Sequence, residues 1–198
     1  ISQAIQNGAN CIVCEKTPDN KTDGVVYVNV KSSRKALAII SSNYFDNPSS
    51  KLNLIGVTGT NGKTTIATLL FDLYTMLKIK SGLISTIKIS YDNKNYKTNQ
   101  TTPDSLSINR FLSEMVNSNV RYCFMEVSSH GIDQNRTDGL VFKGGIFTNL
   151  THDHLDYHEG FENYRDTKKQ FFDSLSNNSF ALANNDDKNG MVMLQNTI

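Results

Sequence analysis

The run Leu54-Ile-Gly-Val-Thr-Gly-Thr-Asn-Gly-Lys-Thr-Thr65 carries the clearest chemistry in the sequence. An apolar stretch leads into a tight glycine turn, and a helical pattern follows it. Gly59 and Gly62 let backbone N–H groups turn inward and cradle phosphate oxygens. A helix opening at Lys63 adds the partial positive charge of its N-terminus. Lys63 can reach the outer phosphates of a nucleotide, and the Thr64 hydroxyl can ligate Mg²⁺. The spacing departs by one place from the strict phosphate-loop pattern. Val57 stands where that pattern has its first Gly, with Gly56 beside it.

Three further residues have chemistry to offer. Glu126 ends an apolar run over 122–127, at the strand edge where α/β sheets bind ligands. A hard carboxylate there suits Mg²⁺. His154 lies among His152 and His158 in Thr-His-Asp-His-Leu-Asp-Tyr-His. Imidazole favours softer metals than Mg²⁺, but the loop context and missing Cys partners argue against zinc. Lys168 falls on the apolar stripe of a helix expected over 161–175, together with Phe161, Tyr164, Phe171, Phe172 and Leu175. Lys169 is turned about 100° away. A Lys on an inward face has a lowered pKa and is partly neutral. A neutral amine can add CO₂ and lose a proton, becoming a carbamate able to ligate a metal.

Alternating strands and helices must position these groups. A helix ends near Gly8, and apolar runs over 11–14 and 25–30 read as strands. A helix over 34–44 turns Leu37, Ile40 and Tyr44 to one side. Asp46-Asn47-Pro48-Ser49-Ser50 is turn chemistry and marks a domain boundary, giving 1–48 as the end of a small α/β domain and 49–198 as an incomplete central domain. Within the latter, buried strands are expected over 52–57, 83–87, 122–127, 145–148 and 180–183. A hairpin joins 87–91 to 95–98. Helices are expected over 63–78 and over 104–117, the latter with Leu106, Phe111 and Met115 inward. This is an α/β fold with a mostly parallel sheet flanked by helices.

Composition bounds the function. The chain has 198 residues and a formal net charge of +1. Its basic residues form no stripe, so no nucleic-acid partner is expected. No run reaches the roughly 18 apolar residues of a membrane span. The chain begins at Ile1 and no signal-peptide pattern is visible. Its three Cys form no disulfide framework, so a reducing, cytoplasmic setting is expected. Cys11 and Cys14 make a C-x-x-C, but on a strand that spacing puts them on opposite faces and not around one metal.

The wording of the loop, Thr58 to Thr65, resembles the ATP loop of the Mur ligase family. Four later segments agree in order: Thr101-Thr102-Pro103, Glu126-Val-Ser-Ser-His-Gly-Ile-Asp-Gln-Asn-Arg136, Phe147-Thr-Asn-Leu-Thr-His-Asp-His-Leu-Asp-Tyr-His158 and Asn184-Asn-Asp-Asp187. They are most like the branch that adds a diamino acid to UDP-MurNAc-L-Ala-D-Glu in peptidoglycan synthesis. Gln100 and Ile132 depart from the usual residues, and neither removes a functional group. The resemblance implies an ATP-dependent amide ligase working through an acyl phosphate, with ATP and Mg²⁺. It implies that Gly59, Thr60, Asn61, Gly62, Lys63, Thr64 and Thr65 hold the phosphates, with Asn184 and Asp187 near the adenine. Thr64, Glu126, His154 and a carbamylated Lys168 are implied as metal ligands, and Lys63, Glu126, His154 and Lys168 as the catalytic set. Thr101, Thr102, Ser128, Gln134 and Arg136 are implied to bind the UDP-MurNAc-dipeptide. The diamino acid, meso-diaminopimelate or L-lysine, is not legible. A monomer is expected, inactive as this stretch alone. The alternatives are a folylpolyglutamate-type or other Mur ligase, or a nucleotide-binding module without ligation.

Overall fold

Strand β3 (Asn53–Thr58) is buried along almost its whole length and is an interior strand of a seven-stranded sheet, between β7 and β8. The computed structural model describes residues 1–153 and 155–197, with Leu155 and Asp156 described by backbone alone. Ahead of the sheet lie helix α1 (Ser2–Gln6), parallel strands β1 (Cys11–Cys14) and β2 (Val26–Asn29), helix α2 (Ser33–Tyr44) and a 3-10 turn at Pro48–Ser50. Cys11 is exposed and Cys14 buried, as the period of a strand requires.

Beyond β3 follow α3 (Lys63–Met76), β4 (Ser81–Ile84), β5 (Ile89–Tyr91), β6 (Lys94–Tyr96), α4 (Ser105–Asn117), β7 (Tyr122–Glu126), α5 (Ser129–Asp133), β8 (Gly144–Phe147), α6 (Leu155–His158), α7 (Phe161–Asp173), β9 (Phe180–Ala183) and α8 (Gly190–Met193). The sheet order is β6-β5-β4-β7-β3-β8-β9, with every pairing parallel except β4–β5 and β5–β6, so that β5 alone is reversed. The fold is the α/β class expected from the sequence.

The chain leaves β3 for β4 on one side and goes from β7 to β8 on the other. The C-terminal ends of β3, β7 and β8 therefore open a crevice, the usual ligand position in such sheets. Helix α3 covers one face, over Ile55, Val57, Leu83 and Phe124. Helices α4, α5 and α7 cover the other, around Leu54, Leu112, Met125, Phe171 and Phe172. Gly56 gives α7 its close approach: a Cβ there would stand 2.5 Å from the Phe171 ring.

Burial and strand ends add what the sequence pattern left open or misplaced. In α2, Ala38, Ser41 and Ser42 are buried while Leu37, Ile40 and Tyr44 are exposed. The Ser42 hydroxyl donates to the Gly139 carbonyl at 3.2 Å, so the small-residue face is the one that finds a neighbour, and periodicity alone does not say which face does. In α4, Ile108, Phe111, Leu112 and Met115 are buried and Leu106 is exposed. Strand β4 starts at Ser81 and stops at Ile84, because Ser85 and Lys88 clasp each other and turn the chain into the hairpin. Both hairpin strands are correspondingly shorter than expected.

Candidate nucleotide and metal site

The loop after β3 is built on two glycines with positive φ, Gly59 at 144° and Gly62 at 84°. A Cβ on Gly59 would collide with the Thr148 hydroxyl. The loop is braced by the segment leaving β8. The Thr60 amide donates to the Asn149 carbonyl at 2.8 Å, and the Asn61 amide to Asn149 Oδ1 at 2.9 Å. The Thr148 hydroxyl donates to the Asn61 carbonyl at 2.6 Å. The Thr60 hydroxyl lies 3.1 Å from the Tyr164 hydroxyl and accepts from the Thr151 amide at 3.0 Å. These bracing residues are not evident in the sequence, because each reads alone as an ordinary loop or core residue. Helix α3 then starts with Gly62 as N-cap and no capping side chain. Its first-turn amides, from Lys63, Thr64 and Thr65, are donors of the kind that bind phosphate. Thr64 is half-buried, and Asn61 and Thr65 are exposed.

Two ammonium groups meet at this loop. Lys63 Nζ donates to the Gly59 and Thr60 carbonyls at 3.0 and 2.7 Å. Lys168 Nζ donates to the same Gly59 carbonyl at 3.0 Å and lies 4.5 Å from the centroid of the Tyr164 ring. Lys168 is only 1% exposed, among the buried Tyr164, Thr167, Phe171 and Phe172 of its helix face. The inward placement read from the sequence holds, and Lys169 instead pairs with Asp173 nearer the surface. Burial, and then the charge of Lys63, push the Lys168 ammonium down to about 7, against a smaller opposing pull from Asp153. Burial also lowers Lys63, while Glu126 and Asp153 pull the other way. Asp153 thus belongs to this cluster, although sequence reasoning did not single it out.

Register places Glu126 beside the loop, since it pairs with Val57 in the adjacent strand. Its side chain is fully buried. Oε1 accepts from the Thr86 amide at 2.8 Å, and Oε2 lies 3.2 Å from the Thr86 hydroxyl. The structure therefore brings Lys63, Lys168 and Glu126 around one loop. His154 lies outside the described residues. Among the described residues, no three His, Cys, Asp or Glu side chains come together as a metal-binding group. The donors at hand are a buried carboxylate, a hydroxyl and a lysine able to become a carbamate. They are hard oxygen donors and fit Mg²⁺.

The residues implied for the acceptor form a connected surface beside Glu126. Thr101 is half-buried, its hydroxyl 3.0 Å from that of Thr86. Thr102 is fully buried; its hydroxyl donates to the Glu126 carbonyl at 2.8 Å and accepts from the Ser128 amide at 2.9 Å. Ser128 caps α5 through the Gly131 amide at 3.0 Å. Arg136 turns much of its fork inward: Nε and an Nη bond Gln134 Oε1 at 3.1 and 2.6 Å, and the other Nη reaches the Thr102 carbonyl at 2.6 Å and Gln100 Oε1 at 3.1 Å. Thr102, Ser128 and Arg136 therefore brace this surface in the form seen here.

On the other side of the loop, a cavity of about 420 Å³ is lined by Gly62, Ile66, Phe147, Thr148, Leu182 and Asn184. Its apolar walls and loop-side position suit a flat heterocycle. Asp187 does not line it. The Leu150 amide (2.7 Å) and Asn189 amide (2.8 Å) donate to its carboxylate; burial raises its pKa, but these bonds outweigh burial and leave it lowered. A larger cavity of about 500 Å³ lies remote from the loop, near Lys78, Lys80 and Asp92.

Comparison with known proteins agrees with this geometry. Residues 57–197 match the model of the Mur ligase middle domain. UDP-N-acetylmuramoyl-L-alanyl-D-glutamate--2,6-diaminopimelate ligase of Cytophaga hutchinsonii is 52% identical over 198 residues, all of this chain and 41% of that protein. The ligase of the same name from Bacteroides thetaiotaomicron is 52% identical over 197 residues, again 41% of its length. A solved structure with that name superposes with a TM-score of 0.84 at 27% identity, covering 98% of this chain and 39% of the other. Folylpolyglutamate synthase of Mycobacterium tuberculosis, complexed with ADP, shares the fold at TM-score 0.65 and 18% identity, over 82% of this chain and 43% of its own. The chain thus spans about two-fifths of the length of the curated relatives it matches. The family model matches most of the chain, residues 57–197, and the chain belongs to the Mur ligase family through its middle domain.

Proposed function

We propose that this chain supplies the nucleotide- and metal-holding part of an ATP-dependent ligase that joins a diamino acid to UDP-MurNAc-L-Ala-D-Glu through an acyl phosphate. The observation that carries the reading is the convergence of Lys63, Lys168 and Glu126 on the glycine loop at the open end of the sheet. The names of the relatives favour 2,6-diaminopimelate as the added amine. Residues 1–48 are the end of a preceding domain in this reading. Their separate two-stranded sheet and the positive φ of Asp46 and Asn47 support the division. No described helix is long and apolar enough to cross a membrane. A cytoplasmic monomer without nucleic-acid partners is part of the proposal.

The work of this chain is electrostatic. Transfer of a phosphoryl group to a carboxylate brings like charges together, so positioning and charge screening dominate the catalysis. Loop amides and Lys63 grip the phosphates, and the cavity beside Asn184 takes the base. Thr64, Glu126 and Lys168 as a carbamate would hold Mg²⁺, with His154 implied by resemblance. Magnesium, when bound, screens the phosphate charge and polarises the transferred group. Two ammonium groups on one carbonyl repel each other. Conversion of the Lys168 amine to a carbamate would turn that repulsion into attraction toward Lys63 and the metal. Thr101, Ser128, Gln134 and Arg136 orient the acceptor next to Glu126, with Thr102 bracing them from below.

Calorimetric titration of the chain with Mg·ATP tests the reading. Binding is expected in the native protein and its loss in Lys63→Ala; equal heats from the two proteins would contradict it.

A further inference from the structure

We propose that Thr86 is a positioning residue that holds the Glu126 carboxylate in the orientation in which it ligates magnesium. The proposal rests on the ligase reading above. Glu126 is fully buried, and among the described residues the hydrogen bonds to its carboxylate come from Thr86 alone. The amide takes one oxygen and the hydroxyl faces the other, so a single residue fixes the plane of a group that otherwise rotates broadly about its last torsion. Each oxygen keeps a lone pair for a second partner.

The turn makes this contact possible. Strand β4 stops at Ile84, opposite Met125. The Ser85 amide and hydroxyl donate to the Lys88 carbonyl at 3.1 and 2.8 Å. That clasp takes Thr86 out of the ladder and aims its amide at the neighbouring strand end. A Thr in such a turn reads from sequence as a loop residue, and its use emerges only from the adjacency of β4 and β7.

The Thr86 hydroxyl also lies 3.0 Å from that of Thr101. It has one proton, which goes to the Glu126 carboxylate, so it accepts from the Thr101 hydroxyl. Thr101, Thr86 and Glu126 form one hydrogen-bonded run from the acceptor surface to the metal carboxylate. Groups that orient a ligand in this way contribute to metal affinity nearly as the ligands do.

The test is a titration of magnesium chloride into the chain with a non-hydrolysable ATP analogue. Thr86 is exposed, so Thr86→Val keeps its shape and removes only the hydroxyl. The magnesium needed for half-maximal nucleotide binding is expected to rise about 10-fold. Metal-free nucleotide binding and the thermal midpoint are expected to stay as in the parent, and Thr86→Ser to restore the parent's metal response. In a Glu126→Gln background, Thr86→Val is expected to add nothing. An unchanged magnesium response in Thr86→Val, or the same loss in both backgrounds, overturns the proposal. If nucleotide binding by the parent shows no magnesium dependence, the ligase reading itself fails, before any variant is compared.

Discussion

Lys168 should give this fold a pH dependence of stability with an unusual sign. Its ammonium is 1% exposed and pushed down from the ordinary 10.5 to about 7, first by burial and then by the charge of Lys63. Between those two values the unfolded chain holds a proton that the native chain has released, so stability rises with pH across the window from about 7 to 10.5. One pKa unit corresponds to about 1.4 kcal/mol. Allowing for partial protonation at pH 7, the gain from pH 7 to pH 9 is about 2 kcal/mol. Lys168→Met keeps most of the side chain's volume and removes the titrating group. Urea unfolding of both proteins at pH 7, 8 and 9, in CO₂-free buffer, measures the effect. The advantage of the Met variant over the parent should shrink by about 2 kcal/mol across that range. Parallel stability curves would refute the argument, because they would mean that Lys168 keeps its proton in the folded state.

Other outcomes follow from the same geometry. Gly59→Ala puts a Cβ on a φ of 144° and into the Thr148 hydroxyl. It should cost about 2 kcal/mol, lowering the thermal midpoint by roughly 4–8 °C and abolishing Mg·ATP binding; an unchanged midpoint would show that the loop relaxes freely. Cys11 is exposed, while Cys14 and Cys123 are buried, and burial pushes the Cys123 thiol up. A thiol reagent at neutral pH should titrate one cysteine quickly and the other two only as denaturant unfolds the chain. Fast reaction of all three would contradict the packing of β1 and β7.

Part of the geometry around the glycine loop is legible in the sequence. The glycine loop announces itself because backbone conformation, phosphate geometry and helix polarity all demand the same short wording. Lys168 was legible because a lysine four residues after Tyr164 and three before Phe171 must share their face of a helix. Its partners were not. The Gly59 carbonyl that receives Lys168 is 109 positions away along the chain, and nothing local encodes that meeting. Arg136 shows the limit from the other side. The resemblance implied a residue facing the acceptor, whereas Gln134, Gln100 and the Thr102 carbonyl take most of its donors. The stripe on α2 shows the same limit. Leu37, Ile40 and Tyr44 do form a face, but the residues that become buried are Ala38, Ser41 and Ser42.

The sequence by itself determined the alternation of strands and helices, the glycine loop and the inward lysine, because each depends on residues within a few positions of one another. Tertiary structure alone decided that β7 lies between β4 and β3. That order sets Glu126 beside Val57 and brings Thr86 to its carboxylate. Strand order is settled by which faces can be buried together, and such a balance over the whole chain is written in no single segment.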